Sequence, residues 1–402
     1  MIDIIINEKE DKKEIELIEN GNLIEYYQEY ERQERKEGDV YLGIVSDVLK
    51  GMQSAFVDIG SDKNSFIHLK DILPKVDQTK NDPNESEGLD ITKIVKPHQP
   101  ILVQVKKDSN AKKGARVSTH ISLTGEYIVY TPNINIVTVS QKIEDVNEQE
   151  RLKKLVKENV SKGNGAIVRT NAKGKTQEVI DDIEKQEKIW QKIKNKYERL
   201  VTSSDANLSP KLIYKSNNII ERLLIDLTHK NINSIITNNK SDADKIKRFI
   251  KRTKGLEDIK IKLVNEKEIS NAYDVEKQIS HINNRKIWLK SGAFIAIDKT
   301  EALTAIDVNT GKFIGNTKLE DTVYKVNQEA TIEIAKQLRL RDLDGIIIVD
   351  YIDMRDEKNK EKIIQLLTNE VKKDRSKVQI EGFTKLDLME ITRKHICGHQ
   401  KV

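Results

Sequence analysis

Two aspartates, Asp307 and Asp350, each come directly after a short apolar run, at 303–306 and 345–349. Two carboxylates held close together repel each other unless a cation or a proton lies between them. Asn309 adds a neutral oxygen ligand two residues after Asp307, and Gly311 allows the backbone to turn there. A few hard oxygen ligands suit Mg²⁺ better than zinc, and Mg²⁺ supports phosphodiester hydrolysis by polarising a phosphoryl oxygen and lowering the pKa of a bound water. The alternative is that both aspartates cap the turns that follow their strands.

The stretch around the aspartates predicts the elements that position them. A third apolar run of strand length lies at 293–297. Between the aspartates, apolar residues recur three or four positions apart, as on one face of a helix: Leu319, Val323, Val326, Ala330, Ile334 and Leu338. A strand, a crossover helix and a second strand return the chain to its sheet in parallel. Ligands of such sheets gather at the carboxyl ends of the strands, where we expect both aspartates.

Composition limits the classes of protein that this chain can belong to. Its 402 residues are enough for several domains with their own cores, and a net charge of +5 excludes a chain that is basic throughout, so any basic surface must be local. The single cysteine, Cys397, excludes disulfides and zinc sites built from cysteines within one chain. No apolar run is long enough to span a membrane, and no charged-then-apolar leader begins the chain. We expect a soluble, cytoplasmic α/β multidomain (α+β) protein.

The N-terminal half predicts a hairpin followed by a barrel. Strands at 1–8 and 13–18 are too few to bury a core, so they should complete a sheet supplied from later in the chain. Residues 38–118 alternate short β-rich runs with glycine turns, which favours a small barrel containing a flexible loop at 77–90. Phe56 and Phe66 lie among lysines, a combination that stacks and neutralises single-stranded nucleic acid. The alternative is that both phenylalanines are core residues.

The rest of the chain predicts alternating helices and strands. Helices are expected at 142–161, 176–201, 211–229, 241–253, 265–285 and 357–373, and strands at 165–170, 234–237, 260–264 and 377–380. Arg169 and Thr170 lie at the end of one strand, where a guanidinium and a hydroxyl could hold a terminal phosphate. The alternative for Arg169 is a surface salt bridge.

Several motifs, in order along nearly the whole chain, resemble the ribonuclease E/G family of bacterial endoribonucleases. They are GDVYLGIVSDVLKGMQSAFVDIG, KKGARVSTHISLTGEYIVYTPN, IVRT, EALTAIDVNTGKF, QLRLRDLDGIIIVDYIDM and LDLMEITRK. The wording GMQSAFVDIG is nearer to the shorter ribonuclease G branch of the family.

The resemblance implies an activity and a set of site residues. The family cuts single-stranded AU-rich RNA with Mg²⁺, using one or two ions, and leaves 5′-phosphate and 3′-hydroxyl ends in rRNA processing and mRNA decay. Its metal aspartates fall on Asp307 and Asp350, and its nearby asparagine falls on Asn309. Its RNA-gripping positions match Phe56, Phe66 and Lys113, and its 5′-monophosphate pocket matches Gly125, Val129, Arg169 and Thr170.

The resemblance also implies a domain plan. Residues 1–36 with 211–280 would form a discontinuous RNase H-like domain, 37–118 an OB-fold RNA-binding domain, 119–210 a 5′-phosphate sensor and 281–394 a DNase I-like catalytic domain. The family usually carries a C-P-x-C element through which two chains share one zinc, whereas residues 395–402 form a truncated or absent zinc-link tail. His395, Cys397 and His399 should therefore bind nothing specific, zinc is not expected, and a homodimer without that link stays open.

The hypothesis for the mechanism is that Asp307 and Asp350 hold Mg²⁺, with Asn309 positioning the ion or the water that attacks the scissile phosphate. Asp353 is either a third ligand or a helix cap. Basic residues that could bind backbone phosphates are Arg339, Arg341, Lys372, Lys373 and Arg375. The equal alternative for Arg339 and Arg341 is that they are charges at a helix C-terminus. Two other classes of function remain, a catalytically silent RNA-binding protein and a Mg²⁺ phosphohydrolase for small molecules.

Overall fold

The computed structural model describes residues 1–10, 12–30, 36–72, 90–109, 113–202, 208–228, 230–251, 253, 255–311 and 319–394. It forms two compact units, Met1–Gln33 with Lys230–Val402, and Glu34–His229. Within these described residues, no helix combines the length and the apolar character that a membrane crossing requires. The tail residues His395, Cys397 and His399, and nearly all of the predicted loop at 77–90, lie outside the described residues.

The chain begins with three antiparallel strands, β1 (Ile2–Lys9), β2 (Lys12–Glu19) and β3 (Asn22–Tyr30). The first two strands are the hairpin that the sequence predicts. Gly21, with a φ of +81°, occupies the turn before β3, a backbone conformation that favours glycine. β3 was not among the strands predicted from the sequence.

The second unit contains a closed barrel of five strands: β4 (Val40–Leu49), β5 (Ser54–Asp58), β6 (Ser65–His68), β7 (Pro100–Lys107) and β8 (Arg116–Ser118). The strands pair in the order β4-β5-β6-β8-β7, and a further pairing of β7 with β4 closes the ring. A short helix, α1 (Ile91–Ile94), lies before β7. Alternate residues fill the core, among them Val57, Ile67 and Val103. The predicted barrel is confirmed.

The remainder of the second unit is a small sheet covered by helices. Its strands β9 (Leu123–Thr124), β10 (Ile128–Thr131), β11 (Val137–Val139) and β12 (Gly165–Val168) pair in the order β11-β12-β10-β9. Helices α2 (Val146–Asn159) and α3 (Gln177–Thr202) pack on it through buried residues such as Leu152, Val156 and Ile183.

Residues 211–229 differ from the prediction in both structure and domain. A strand, β13 (Lys211–Tyr214), pairs with β4 of the barrel, and a shorter helix, α4 (Ile219–Asp226), follows it. Both elements belong to the second unit, not to the discontinuous domain that was predicted to resume at residue 211. The short run of β13 becomes a strand because the edge of β4 offers backbone partners, a long-range pairing that the local sequence does not encode.

The first unit resumes with β14 (Ile232–Thr237), α5 (Lys240–Ile250) and β15 (Lys260–Leu263). β14 pairs in parallel with β1 and β15 in parallel with β14, which gives the order β15-β14-β1-β2-β3. The N-terminal strands are thus completed from later in the chain, as predicted. The predicted helix over 265–285 is instead two short helices, α6 (Glu266–Asn271) and α7 (Val275–Ser280), since Tyr273 and Asp274 both have positive φ.

The last segment forms a six-stranded sheet from β16 (Lys286–Trp288), β17 (Phe294–Lys299), β18 (Leu303–Asn309), β19 (Gly345–Asp350), β20 (Val378–Phe383) and β21 (Leu388–Arg393). The order is β16-β17-β18-β19-β21-β20, and only β18 and β19 are parallel. Between β18 and β19 runs α8 (Leu319–Leu340), and α9 (Glu357–Val371) follows β19. The predicted strand–helix–strand arrangement is confirmed, whereas β21 is a strand that the sequence analysis missed.

The two faces of this sheet have different environments. Ile295, Ile306, Val349 and other alternate residues are buried against apolar residues of α8 and α9, such as Val326. Most residues of the opposite parity, including both candidate aspartates, are exposed or half-buried, although Ala296 is buried. We call this second surface the open face of the sheet.

Candidate active site

Strand register brings Asp307 and Asp350 side by side. Both residues lie near the carboxyl ends of the parallel strands β18 and β19, and Asp307 is the direct cross-strand partner of Asp350. Neighbouring strands lie about 4.8 Å apart, so the two carboxylates occupy one small region. Both side chains are exposed on the open face, while their neighbours Ile306 and Val349 point into the core. The predicted convergence at the carboxyl end of a parallel pair is what the structure shows.

Asn309 and Gly311 complete this end of β18. The Nδ2 group of Asn309 donates a hydrogen bond to Oδ2 of Asp307 at 2.7 Å, which fixes the orientation of that carboxylate. Gly311 has a φ of +59°, and a Cβ built there would lie 2.4 Å from the carbonyl oxygen of Gly292. The chain can therefore turn closely past the loop before β17 only because residue 311 is glycine.

The described part of the site carries net negative charge. Partial desolvation raises the pKa of Asp350, and the charges on Asp307 and Asp353 raise it further. The charge on Asp307 contributes to the raised pKa of Arg285, but the Arg285 guanidinium binds Asp298 through two hydrogen bonds of 2.6 Å. Among the described residues, no Lys, Arg or His forms an ion pair with any of the three site aspartates, so the cluster attracts cations.

The available donors match a hard cation with few protein ligands. No group of three or more His, Cys, Asp and Glu side chains in the described part of the chain is arranged to hold a metal. Asp307, Asp350 and Asn309 together offer two carboxylates and one amide, all of them oxygen donors. Mg²⁺ commonly binds through one or two carboxylates and keeps several waters, so these residues fit Mg²⁺ and do not suit zinc.

Asp353 lies in the loop after β19 and is exposed. The cap of α9 is Asp356, whose side chain accepts a hydrogen bond from the backbone N–H of Lys358. The cap alternative for Asp353 is therefore wrong, and this residue contributes its charge to the site.

Helix α8 holds the backbone just beyond Asp350 through residues that the sequence analysis missed. Nδ2 of Asn327 donates to the carbonyl oxygen of Ile352 at 2.8 Å, and Oδ1 of Asn327 accepts from the N–H of the same residue at 3.2 Å. The hydroxyls of Thr331 and Tyr351 lie 2.9 Å apart. Asn327 and Thr331 are fully buried one helical turn apart. Asn327 and Thr331 lie on the apolar face of the helix that the sequence predicts. Because buried polar side chains need hydrogen-bond partners, their position on that face is a signal that could have identified them from the sequence.

The basic residues predicted to bind backbone phosphates are largely engaged within the protein. Arg375 binds Glu25 and the hydroxyl of Tyr27. Arg341 donates to Gln337 at 2.7 Å and to the carbonyl oxygen of Asn284 at 2.8 Å.

Arg339 and Lys373 are engaged in the same way. Arg339 donates to the carbonyl oxygen of Glu370 at 3.3 Å, as expected of a cation near a helix C-terminus. Lys373 forms an ion pair with the same glutamate. These contacts favour structural roles.

The barrel carries an aromatic pair on its outer surface. Phe56 and Phe66 are cross-strand partners on β5 and β6, with ring centroids 6.3 Å apart in an edge-to-face arrangement. Ala55 and Ile67, one position away on each strand, are buried in the barrel core. Because successive residues of a strand point to opposite sides, both phenylalanines face outward and are only half-buried. The alternative that they are core residues is wrong.

Lys113 is exposed, and the two residues that follow it contact the strand β6 and the loop before it. Gly114, the next residue, approaches the backbone of Asn64 so closely that a Cβ would lie 1.9 Å from its carbonyl oxygen. The N–H of Phe66 donates to the carbonyl oxygen of Ala115 at 2.7 Å. Glycine at position 114 therefore brings the segment of Lys113 against the strand that carries Phe66.

The four residues of the predicted phosphate pocket lie on or beside one small sheet. Nη1 of Arg169 donates to the carbonyl oxygen of Gly125 at 2.7 Å, and the guanidinium also forms an ion pair with Asp226. Thr170 lies next to it, with its hydroxyl 3.1 Å from that of Ser140. The salt bridge that was the alternative for Arg169 is thus present in the structure.

Val129 and Gly125 have clear local roles. Val129 is half-buried and pairs with Ile167, two residues before Arg169. A Cβ at Gly125 would lie 2.3 Å from Oδ2 of Asp182. That carboxylate accepts hydrogen bonds from the N–H groups of Tyr127 and Ile128 at 2.8 and 3.2 Å, so glycine at 125 makes room for the group that organises the loop.

Comparison with known proteins identifies relatives over almost the whole chain. The model of the ribonuclease E/G family matches residues 122–396. Ribonuclease G of Salmonella typhimurium (strain SL1344) is 37% identical over 397 residues, which are 98% of this chain and 79% of that protein. Ribonuclease G of Haemophilus influenzae is 35% identical over 398 residues, which are again 98% of this chain and 79% of that protein. Ribonuclease E of Nostoc sp. is 33% identical over 364 residues, which are 89% of this chain and 51% of that protein.

Proposed function

The chain belongs to the ribonuclease E/G family and is an endoribonuclease, and we propose that it cuts single-stranded, AU-rich RNA in a Mg²⁺-dependent reaction at Asp307 and Asp350. The products would carry 5′-phosphate and 3′-hydroxyl ends. The substrates would be rRNA precursors and mRNA, and a 5′-monophosphate on the substrate would stimulate cutting.

One observation carries the proposal. Asp307 and Asp350 are cross-strand partners on an exposed sheet surface, without a neutralising cation among the described residues. Such a pair is unfavourable in an empty site, because like charges repel, and becomes favourable when a cation binds. A protein that only coats RNA gains nothing from two carboxylates where the phosphates would lie.

Each residue around the acidic pair would have a separate role. Asp307 and Asp350 would hold the ion, and the hydrogen bond from Asn309 keeps the Asp307 carboxylate in position. When bound, Mg²⁺ supplies a Lewis acid for the phosphoryl oxygen and lowers the pKa of a bound water. The two hydrogen bonds between the Asn327 side chain and the backbone of Ile352 hold the segment that follows Asp350, so this carboxylate does not have to reorganise when substrate arrives.

The barrel would bind the RNA strand. The outward pair Phe56 and Phe66 offers ring surfaces to bases, and the exposed Lys113 offers a charge to the backbone. Stacking on aromatic rings tolerates any base, which suits a substrate recognised by its single-stranded state more than by its sequence.

The pocket of Gly125, Val129, Arg169 and Thr170 would bind the 5′-monophosphate. Arg169 is held in place by the carbonyl oxygen of Gly125, and its partner Asp226 would be replaced by, or share the guanidinium with, the phosphate. An arginine in a fixed orientation is suited to bidentate phosphate binding.

The finer fold assignment is also a proposal. The sheet order β15-β14-β1-β2-β3, with three antiparallel strands first and two parallel strands later in the chain, supports an RNase H-like domain. The sheet of β16 to β21 with two helices on one face supports the DNase I-like assignment of the catalytic region.

Cleavage of a labelled AU-rich oligoribonucleotide tests the proposal. We expect cutting with Mg²⁺ and none with EDTA, a ligatable 5′-phosphate on the downstream product, and faster cutting of a 5′-phosphorylated substrate than of a 5′-hydroxyl substrate. Single nucleotides with a phosphomonoester serve as the control substrate and should remain intact, which separates this activity from that of a small-molecule phosphohydrolase. RNA binding without cutting at any Mg²⁺ concentration would contradict the proposal and favour the catalytically silent RNA-binding protein.

A further inference from the structure

An exposed aromatic pair lies at the edge of the open face. Trp288 on the edge strand β16 is 57% exposed, and its ring packs against Phe294 of β17 with a centroid distance of 5.3 Å. Nζ of Lys286 lies 3.6 Å from the centroid of the Phe294 ring and 4.8 Å from that of Trp288. The lysine therefore covers mainly the phenylalanine, and much of the indole surface stays open to solvent.

The chemistry of this cluster is that of a base-stacking site. Covering the exposed apolar surface of a large flat ring is favourable, so the indole gains when a flat apolar group packs on it. Ring surfaces with a cation beside them bind nucleobases, because every base has a π-face and the adjacent phosphates are anionic. The chain has two tryptophans, and the other one, Trp190, packs against the core of the second unit.

Strand register places the cluster next to the acidic pair. Phe294 pairs with Trp288 on one side and with Asn309 on the other, so all three lie in one row across the sheet. Cross-strand partners point to the same face. The adjacent row of the same face holds Asp307 and Asp350. Two strand spacings, about 10 Å, separate Trp288 from Asn309, a span of a nucleotide or two in an extended RNA strand.

We propose that Trp288, supported by Phe294 and Lys286, is a stacking platform for one nucleobase of the RNA substrate, next to the phosphodiester that is cut. The inference rests on the function proposed above, since it needs a substrate phosphate at Asp307 and Asp350. Trp288 is a positioning residue: a base held on its indole fixes the register of the strand over the acidic pair.

A structural role makes different predictions. An aromatic cross-strand pair stabilises the edge of a sheet whether or not RNA is present. If that were its only role, replacing Trp288 would lower the stability of the first unit and change cutting of all substrates alike. The platform instead predicts an effect that depends on the base at one position of the substrate.

The first test is a scan with abasic substrates. A set of oligoribonucleotides, each with one abasic site at a different distance from the cleavage position, is cut by the full-length protein and by Trp288→Ala. For the wild type, we expect the abasic site at one position to raise KM by roughly 5- to 100-fold, the effect of losing one stacked base. For Trp288→Ala, KM is already raised on the intact substrate, and the same abasic site adds nothing.

Controls separate this effect from damage to the fold. Trp288→Phe keeps a ring and should restore part of the dependence on that position. Ile346→Ala removes an equally exposed apolar side chain from the other end of the open face and should leave KM unchanged, since Ile346 is 50% exposed at the start of β19. Equal sensitivity of wild type and Trp288→Ala to every abasic site would overturn the platform while leaving the cleavage function intact.

A second readout does not need cutting. In a Trp190→Phe, Asp307→Asn protein, Trp288 is the only tryptophan, and RNA is bound without being cleaved. Stacking of a base should quench its fluorescence saturably as an intact oligoribonucleotide is added, and less so with the abasic substrate identified above. Anisotropy of a labelled oligonucleotide shows at which RNA concentrations the protein binds RNA. If the emission of Trp288 does not change at those concentrations, the platform is refuted, whatever the outcome of the cleavage assay.

Discussion

Arg393 anchors the sheet of β16 to β21, and its replacement should cost the first unit much of its stability. Its side chain is completely buried. Nη1 donates to Oδ1 of Asp342 at 2.6 Å and to the carbonyl oxygen of Leu343 at 3.0 Å, and Nε donates to Oδ2 of Asp374 at 2.8 Å. One guanidinium therefore ties the segment that enters β19 to the segment that precedes β20.

The expected magnitude follows from these contacts. Arg393→Met keeps the length of the side chain but leaves Asp342 and Asp374 buried without their cation. Removing one partner of a buried ion pair typically costs about 3–5 kcal/mol, which is a large part of the roughly 5–15 kcal/mol that stabilises a domain. The triple variant Arg393→Met, Asp342→Asn, Asp374→Asn removes the charges on both sides, so it should recover a substantial part of the loss.

Urea unfolding followed by tryptophan emission measures this effect. The chain has two tryptophans, and a Trp190→Phe background leaves Trp288 of β16 to report on the sheet of β16 to β21. We expect the midpoint for Arg393→Met to fall well below that of the background protein, and the triple variant to lie between them. A loss below about 1 kcal/mol for Arg393→Met, or a triple variant less stable than the single one, would refute the reasoning.

Three further predictions follow from buried or crowded carboxylates. Burial raises the pKa of Glu16 to about 8, so its contribution to stability is present below pH 4.5 and is lost as the pH rises to about 8. In thermal melts, Glu16→Gln should match the wild type at pH 4 and be more stable by a few kcal/mol at pH 9. Asp353→Asn removes a like charge from Asp350, which lowers the raised pKa of that carboxyl, so the acid limb of the pH–rate profile for cleavage should move to lower pH. Gly125→Ala would displace Asp182 and leave two backbone N–H groups without their acceptor. In urea unfolding it should destabilise the second unit by about 1–3 kcal/mol, and in cleavage assays it should reduce the preference for 5′-phosphorylated RNA. Unchanged values would show that the loop accommodates the methyl group.

Local periodicity was sufficient to predict the core of the site. The strands β18 and β19 and the helix α8 lie where apolar runs and a helical repeat indicate them. Parallel connectivity then places Asp307 and Asp350 at the same end of the sheet. Their direct pairing in register is a property of the folded sheet, which local sequence cannot specify.

Long-range partners explain what the sequence analysis missed. β21 turns only two apolar residues, Met389 and Ile391, into the core, too short a pattern to stand out. Arg169 looks the same in sequence whether it holds a phosphate or pairs with Asp226, which is 57 residues away. Trp288 lies on a three-residue edge strand, and its exposure depends on the sheet that places it there.

The most direct test of the acidic pair is single-turnover cleavage by Asp307→Asn, Asp350→Asn and the double variant at saturating Mg²⁺. Asp344→Asn is the matched control, since Asp344 lies just before β19 at the opposite end of that strand and pairs with Lys299. Because the two carboxylates act on one ion, we expect each single variant to lose roughly a hundredfold or more, and the double variant to lose little beyond that. Cleavage at the rate of the Asp344→Asn control in either single variant would contradict the assignment of the active site to Asp307 and Asp350.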